Sequence, residues 1–562
     1  MPSSLRTLRN QARITAIPRS SQSIIVNPLA ITTARRGITT ATIRPQTVTA
    51  TASAIASQFQ AVRNMSNWPK VTAENPLGLD DPSLFVQKGF IGGKYVETES
   101  GKTFEVDDPA SGKIIGTCPE MTVEDTKRAI ESAHKAFASY KNVSPQQRQA
   151  YLTELHRLFL ANINDITRLI VWENGKSWND ALAEANYAAS FFSWFAGEAL
   201  RTYGQTIPCS VPGTRNITIK QPIGVVALLV PWNFPAAMIA RKLGPALAVG
   251  CTSVVKVPSE TPYTTLAIVE LARRAGVPEG VVNVITTDKN LQDVGKELCT
   301  NPLVHKVSFT GSTRVGKILA SQCSSTLKKM SLELGGNAPL IVFDDADLAT
   351  AVAGTIASKF RGSGQTCVCA NRIYVQDGIY DKFAKALAEK VGQFKVGSGF
   401  DEGVTHGPLI HARQADKVDE HVQDAVSKGA KVLVGGKRGK GTEYIPTVLA
   451  DVSDECLIAT EETFGPVAAL FRFKTEDEVV ERANNTEVGL AGYFFSQDAD
   501  RIWRVAEALE TGMVGANTGM ISQAVIPFGG VKESGYGKEG GAEGADEYTI
   551  TKLVAVGSKI KQ

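Results

Sequence analysis

Between Val225 and Phe309, short β-branched runs alternate with helical segments, and this alternation restricts the fold more than any other feature of the chain. The runs are VVALLV (225–230), SVVK (253–256), VVNVI (281–285) and HKVSF (305–309), with helical stretches at 236–249 and 262–275 between them. Strands alternating with helices build a parallel sheet with helices on both faces. A second series begins at PLIVF (339–343), continues with RIYVQ (372–376) and includes AGYFFS (491–496). The expected fold class is therefore α/β, with two doubly wound parallel-sheet domains in series. The long apolar run GVVALLV (224–230) lies between Pro222 and Pro231. It falls far short of the roughly 18 residues a membrane helix needs, so it reads as a buried strand.

Helices precede this region. TVEDTKRAIESAHKAFASY (122–140) opens with Thr122 and Asp125 as a cap pair, and Ile130, Ala133, Phe137 and Tyr140 share one face. Further helix is expected at 147–160 and around 178–203. TYGQTIPCSVPGTRNITIKQP (202–222) reads as a protruding hairpin, and TITKLVAV (549–556) as a last strand able to pair with a partner's edge.

The first 64 residues hold eight Arg, no Lys and no acid, and Ser, Thr and Ala dominate them. That composition is expected of a mitochondrial transit peptide, with Met65 as a possible second start giving a cytosolic form. Without those arginines the formal net charge falls from +3 to −5. A mildly acidic remainder gives no reason to expect nucleic acid as a partner. No apolar stretch suggests a membrane. Of eight Cys, only Cys367 and Cys369 are close together, with no C-x-x-C and no H-E-x-x-H among six His. No metal site is expected.

FRGSGQTCVCANR (360–372) leaves three readings of that pair open: a metal half-site, a redox pair, or a nucleophile with a thiol neighbour. SFTGSTRVG (308–316) is a strand, a turn at Gly311 and a helix start, where N–H groups and Ser312 suit a phosphate. It lacks the middle glycine of the dinucleotide fingerprint. In LELGGN (332–337), Glu333 is either a surface carboxylate or a buried base. In PWNFP (231–235), two prolines fix the backbone around Asn233, whose amide either is aimed rigidly into a site or caps the next helix.

The motifs PWNFP, K-x-P-S-E-T-P (256–262), F-T-G-S-T, L-E-L-G-G-N, G-Q-T-C, E-E-T-F-G-P (461–466) and P-F-G-G-V-K-x-S-G (527–535) occur in this order. Over residues 70–560 the chain resembles the NAD(P)-dependent aldehyde dehydrogenase superfamily. The resemblance implies a Rossmann-like cofactor domain (70–201 and 224–334), a catalytic domain (335–533) and a small β bridging element (202–223 and 534–562). It also implies a homodimer or homotetramer and, with the N-terminal composition, a place in the mitochondrial matrix for the protein that follows residues 1–64. In such a reaction a thiolate attacks the aldehyde, hydride leaves the tetrahedral adduct, and water hydrolyses the resulting thioester. Cys367 is then the nucleophile. The Asn233 side chain and the Cys367 N–H hold the oxyanion, and Glu333 activates water. For the cofactor, Trp232, Lys256, Gly311, Ser312, Glu462 and Phe464 are the implied contacts. Ser259 stands where many NAD-using relatives carry a ribose-binding Glu. Ser cannot repel a 2′-phosphate, which leans the expectation toward NADP or dual use, while Glu260, one residue later, keeps NAD open.

RGSGQTCVCANR resembles the succinate-semialdehyde branch of that superfamily, with Arg361 six residues before the nucleophile and Arg241 as a second cation. Two guanidiniums gripping a far carboxylate, with Ser522 as a third contact, imply a four-carbon semialdehyde oxidised to succinate. Each Arg taken alone reads equally as solvent-facing or as bound to helix carbonyls. Cys369 resembles a neighbour thiol that forms a reversible disulfide with the nucleophile, or is an inert core residue. The alternatives are glutarate semialdehyde as substrate, acyl transfer to coenzyme A, which Glu333 argues against, and a catalytically silent scaffold, which Cys367, Glu333 and Asn233 argue against.

Overall fold

The structure, a computed structural model, describes residues 71–557. The expected transit segment lies outside the described residues. The described part belongs to one compact unit, 67–562.

Two large sheets organise it. The first has five parallel strands in the order Val282–Ile285, Thr252–Lys256, Val225–Leu229, Val304–Thr310 and Lys329–Glu333. Chain order thus reverses between Val225–Leu229 and Val304–Thr310. In an open α/β sheet the ligand crevice forms at such a reversal, outside the carboxyl ends of the strands. PWNFP and GST leave the sheet at that point. The second sheet has six parallel strands, Thr447–Ala450, Val467–Phe473, Ala370–Gln376, Ala338–Val342, Ala491–Phe495 and Met513–Ala516, with Lys431–Val434 antiparallel at one edge.

Both sheets are covered on both faces. Val226 and Leu228 enter one apolar core, while Val225, Ala227 and Leu229 enter another on the opposite face. Leu340 and Val342 likewise part from Ile341 and Phe343. Two-sided burial is why these strands read as continuous apolar runs rather than alternating ones. The expected Thr122–Asp125 capping box opens the helix Val123–Tyr140.

The hairpin forms as Thr206–Ile207 against Thr214–Pro222, and Thr549–Gly557 pairs along the whole second strand. The last strand therefore finds one edge within its own chain. Within the stretch 534–562 expected to form this element, Thr549–Gly557 supplies the third strand of the small sheet, and residues 558–562 lie outside the described residues. Gly535–Tyr536 adds an antiparallel edge to the first sheet beside Leu332–Glu333. The helix Gly541–Asp546 is tied there as well, with Gly541 O accepting from Trp194 Nε1 at 3.0 Å.

Candidate active site

Three chain segments converge at the ends of the sheets. The first follows Leu229. Pro235 starts the helix Pro235–Val249 with Phe234 at the N-cap and no side-chain cap. Asn233 is therefore not the helix cap. It is 6% exposed, and its Nδ2 donates to Gln365 O at 2.9 Å. An amide nitrogen carries two N–H groups, so a second donor is left for a ligand.

The second segment is the turn before Cys367. Gly362, Ser363 and Gly364 have φ of +58°, +56° and +75°. Three consecutive left-handed residues, one of them bearing a Cβ, store strain that its surroundings must hold. Ser363 Oγ donates to Gly407 O at 2.7 Å, and Gln365 Oε1 accepts from Ile410 N at 3.0 Å. Beyond the turn, Val368 O accepts from Tyr493 Oη at 2.8 Å. Cys367 itself is half-buried. Burial, reinforced by the Glu462 carboxylate, pushes its thiol up to about 12, against the pull of Arg241. Cys369 is buried, with Sγ directed at Lys359 O (3.5 Å) and Gly364 O (3.4 Å). Burial raises its thiol too.

The third segment ends the strand Lys329–Glu333. Glu333 is 1% exposed, and neither carboxylate oxygen has a hydrogen-bond partner. Desolvation, then the nearby Glu539 carboxylate, hold its pKa well above the ordinary carboxylate range, opposed by Lys242, Arg241 and Lys538. After it, Gly335 and Gly336 let the Cys367 backbone and the Glu462 side chain approach closely. A Cβ on Gly336 would stand 2.6 Å from Cys367 O, and one on Gly335 would stand 3.2 Å from Glu462 Oε2. The glycine pair thus brings Glu333, Cys367 and Glu462 to one place.

Glu462 sits in a loop clamped from the helix Ala412–Ser427. Lys417 Nζ donates to Glu462 O at 2.6 Å, and Gln414 Nε2 donates to Thr463 O and Phe464 O. Phe464 has φ +53°, and its ring meets Trp232 edge-on at 5.6 Å. Burial lifts the Glu462 carboxyl to about 7, and its Oε1 is buried without a partner. That orphaned oxygen is a ready acceptor for ribose hydroxyls. Across the crevice Ser312 caps the helix Thr313–Cys323, with Gly311 before it. Lys256 ends its strand nearly buried, and desolvation lowers its ammonium to about 8, opposed by Glu260, Asp288 and Glu120. Ser259 Oγ donates to Glu260 Oε2 at 3.3 Å. A dinucleotide fits this set: a helix N-terminus for its pyrophosphate, an unpaired carboxylate and a lysine for its riboses, and two aromatic rings beside them.

The two arginines differ from each other. Arg241 is 1% exposed and neither faces solvent nor binds a carbonyl. Its guanidinium lies 4.2 Å from the Phe528 ring, NH2 donates to Tyr187 Oη at 2.5 Å, and NH1 meets Glu539 only at 3.5 Å. Nε and NH1 have no hydrogen-bond partner. Arg361 is half-buried over the Phe234 ring at 5.4 Å. Its NH1 reaches Met520 Sδ at 3.7 Å, and its Nε is unpartnered. Ser522 and Tyr187 line one groove of about 680 Å³. Tyr187, Phe528, Glu539 and Gln414 were not legible as site residues from sequence; only the P-F-G-G motif around Phe528 gave a signal.

Among the described residues, no group of three or more His, Cys, Asp or Glu is placed to hold a metal ion, and no helix is long and apolar enough to cross a membrane.

Comparison with known proteins agrees with this geometry. The profile of the "Aldehyde dehydrogenase family" matches residues 95–554. A glutarate-semialdehyde dehydrogenase of Pseudomonas putida is 54% identical over 478 residues, 85% of this chain and 99% of that protein. A succinate-semialdehyde dehydrogenase [NADP(+)] of Schizosaccharomyces pombe is also 54% identical, over 483 residues, 85% of this chain and 97% of its own. The crystal structure of a succinate-semialdehyde dehydrogenase from Burkholderia pseudomallei superposes with a TM-score of 0.84 at 51% identity, covering 85% of this chain and all of that one.

Proposed function

The chain belongs to the aldehyde dehydrogenase family, and we propose that the aldehyde it oxidises carries a carboxylate at its far end, with succinate semialdehyde as the substrate. The observation that carries this reading is Arg241: a buried guanidinium fixed by Tyr187 and Phe528, whose Nε and NH1 lack hydrogen-bond acceptors although Glu539 lies 3.5 Å away. Buried N–H groups without acceptors are costly, and a carboxylate supplies the missing acceptors in bidentate form. Arg361, and Ser522 in the groove that Tyr187 shares, are the further contacts we assign to that carboxylate.

The enzyme is an NAD(P)-dependent aldehyde dehydrogenase. In our reading Cys367 Sγ attacks the aldehyde carbon. Its proton passes to Glu333, whose raised pKa suits it to hold one. The remaining N–H of the Asn233 amide and the Cys367 N–H donate to the oxyanion. The nicotinamide, when bound, supplies the hydride acceptor that turns the adduct into a thioester. Glu333 releases that proton to bulk water, and its carboxylate then takes a proton from the water that attacks the thioester carbon; the C–S bond breaks, Cys367 departs as thiolate and the carboxylic acid is released. We assign Gly311 and Ser312 to the pyrophosphate, Lys256 to the adenine ribose, and Glu462, with Phe464 and Trp232 beside it, to the nicotinamide ribose. Lys256 and Ser259 favour NADP, or use of both cofactors, because Ser259 presents no charge to a 2′-phosphate and Lys256 attracts one. The naming of the yeast relative as NADP(+)-dependent supports this. Cys369, 2% exposed and two residues from the nucleophile, is the thiol we assign to reversible oxidation with Cys367. For assembly we propose a dimer or a dimer of dimers, built over the exposed Ile217, Ile550 and Leu553 of the small sheet.

A second reading has one specific support, the equal identity to a glutarate-semialdehyde dehydrogenase. One methylene is worth only about 1–3 kcal/mol of discrimination. The deciding experiment measures kcat/KM for succinate semialdehyde, glutarate semialdehyde and butanal, each with NAD+ and NADP+. Highest efficiency on succinate semialdehyde supports the proposal, and equal efficiency on butanal refutes a carboxylate clamp.

A further inference from the structure

The turn between the helices Ile163–Asn174 and Trp178–Glu198, with the helix ends beside it, touches both loops of the site, although one loop leaves the first sheet and the other leads into the second. Toward the Asn233 loop, Asn174 Nδ2 donates to Trp232 O at 2.9 Å and Lys176 Nζ donates to Asn233 O at 2.6 Å. Toward the Cys367 turn, Asp180 Oδ2 accepts from Gly362 N at 2.9 Å, at the first of the three left-handed residues. Lys176 is 5% exposed, and its ammonium lies 3.7 Å from the centre of the Phe234 ring. It forms an ion pair with Glu184, itself 2% exposed. Glu184 Oε1 in turn accepts from Ala236 N at 2.9 Å and Ala237 N at 3.4 Å, in the first turn of the helix that lacks a side-chain cap.

The chain from Asn233 into the helix is thus held by one buried pair, Lys176 at the Asn233 carbonyl and Glu184 at the helix start, while Asn174 holds Trp232 on the other side. A buried ion pair is a poor source of stability, since apolar side chains of the same volume usually serve as well or better. What the pair supplies here is direction: it fixes the peptide from which the Asn233 amide projects. We propose that Lys176 and Glu184 are positioning residues for the Asn233 amide, and that their turn, through Asp180, sets the spacing between that amide and Cys367. The proposal rests on the reading of Asn233 as an oxyanion donor. It requires that the pair act on the chemical step and not on cofactor binding, because neither residue touches the crevice at Gly311 or Glu462.

The test uses the Lys176→Met/Glu184→Leu double variant, which removes both charges and leaves neither buried alone. Glu184→Gln, whose amide oxygen can still accept from Ala236 and Ala237, provides a milder second variant. The double variant is expected to lower kcat by about tenfold to a hundredfold, the scale of a small misplacement of a catalytic group. KM for NADP+ and the iodoacetamide alkylation rate of Cys367 should not change. Glu184→Gln should lose less, in the same direction. Added to Asn233→Ala, the double variant should cost nothing more, because both act through one amide. Full kcat in the folded double variant overturns the proposal, as does a loss that adds to that of Asn233→Ala. Full kcat in Asn233→Ala instead refutes the oxyanion reading itself, a result distinguishable from either.

Discussion

Asn233 donates its side-chain N–H to the carbonyl of Gln365, two residues before Cys367, at 2.9 Å. This one bond joins the end of the first sheet to the turn that carries Cys367. Replacing Asn233 by Ala removes a donor and leaves a buried carbonyl unpaired. The expected loss in kcat is about 10²–10³-fold, the usual cost of one oxyanion donor, with cofactor binding unchanged. Steady-state kinetics together with a cofactor titration checks it.

Partial burial, reinforced by the Glu462 carboxylate, pushes the Cys367 thiol up to about 12. Well below that value the thiolate fraction rises about tenfold per pH unit. Alkylation of Cys367 by iodoacetamide in the enzyme without cofactor should therefore climb steadily from pH 7 to pH 9. A plateau in that range would show an activated thiol of lowered pKa instead.

Glu333 has its pKa raised in the folded state, chiefly by desolvation. For such a group the folded state binds the proton more tightly than the unfolded chain. Its contribution to stability is full below the unfolded pKa of about 4.5 and is lost as pH rises through the folded value. Glu333→Gln removes this penalty. Its melting temperature should exceed that of the parent at pH 8, and the gap should close toward pH 4.5. Its kcat should fall by at least about a hundredfold, since the residue we assign as general base is gone.

Arg241→Met should lower kcat/KM for succinate semialdehyde by about 10–150-fold, the value of one or two charge-assisted hydrogen bonds. Efficiency on butanal should change little. Because Arg241 also meets Glu539, a thermal melt of the variant accompanies the kinetics, and a uniform loss on both aldehydes would mark a structural role.

Ser259→Glu places a carboxylate beside Glu260, where we assign the adenine ribose. The ratio of kcat/KM with NADP+ to that with NAD+ should drop by at least about tenfold through like-charge repulsion of the 2′-phosphate. An unchanged ratio would place the cofactor's 2′ position elsewhere.

Much of the architecture was legible because two-sided burial writes itself as Val- and Leu-rich runs, as at Val225–Leu229 and Leu340–Val342. The Thr122–Asp125 box was legible because its pattern is local. Gly535–Tyr536 was not, since two residues carry no period and their pairing with Leu332–Glu333 spans some two hundred positions. At the site, glycine-containing motifs marked Cys367 and Glu333, and a proline-bounded one marked Asn233. Whether Asn233 capped a helix or faced a loop was decided only by the bond to Gln365. The supports, Lys176 with Glu184 and Arg241 with Tyr187, stayed hidden because a buried ion pair or an aromatic cradle depends on which helices meet, and no spacing in the chain encodes that.

The most direct test is acid quenching of the enzyme during turnover of succinate semialdehyde with NADP+, followed by peptide mass analysis. The account predicts a succinyl thioester on Cys367, enriched in Glu333→Gln, and no turnover in Cys367→Ala. Turnover with Cys367 unmodified, or retained activity in Cys367→Ala, would contradict it.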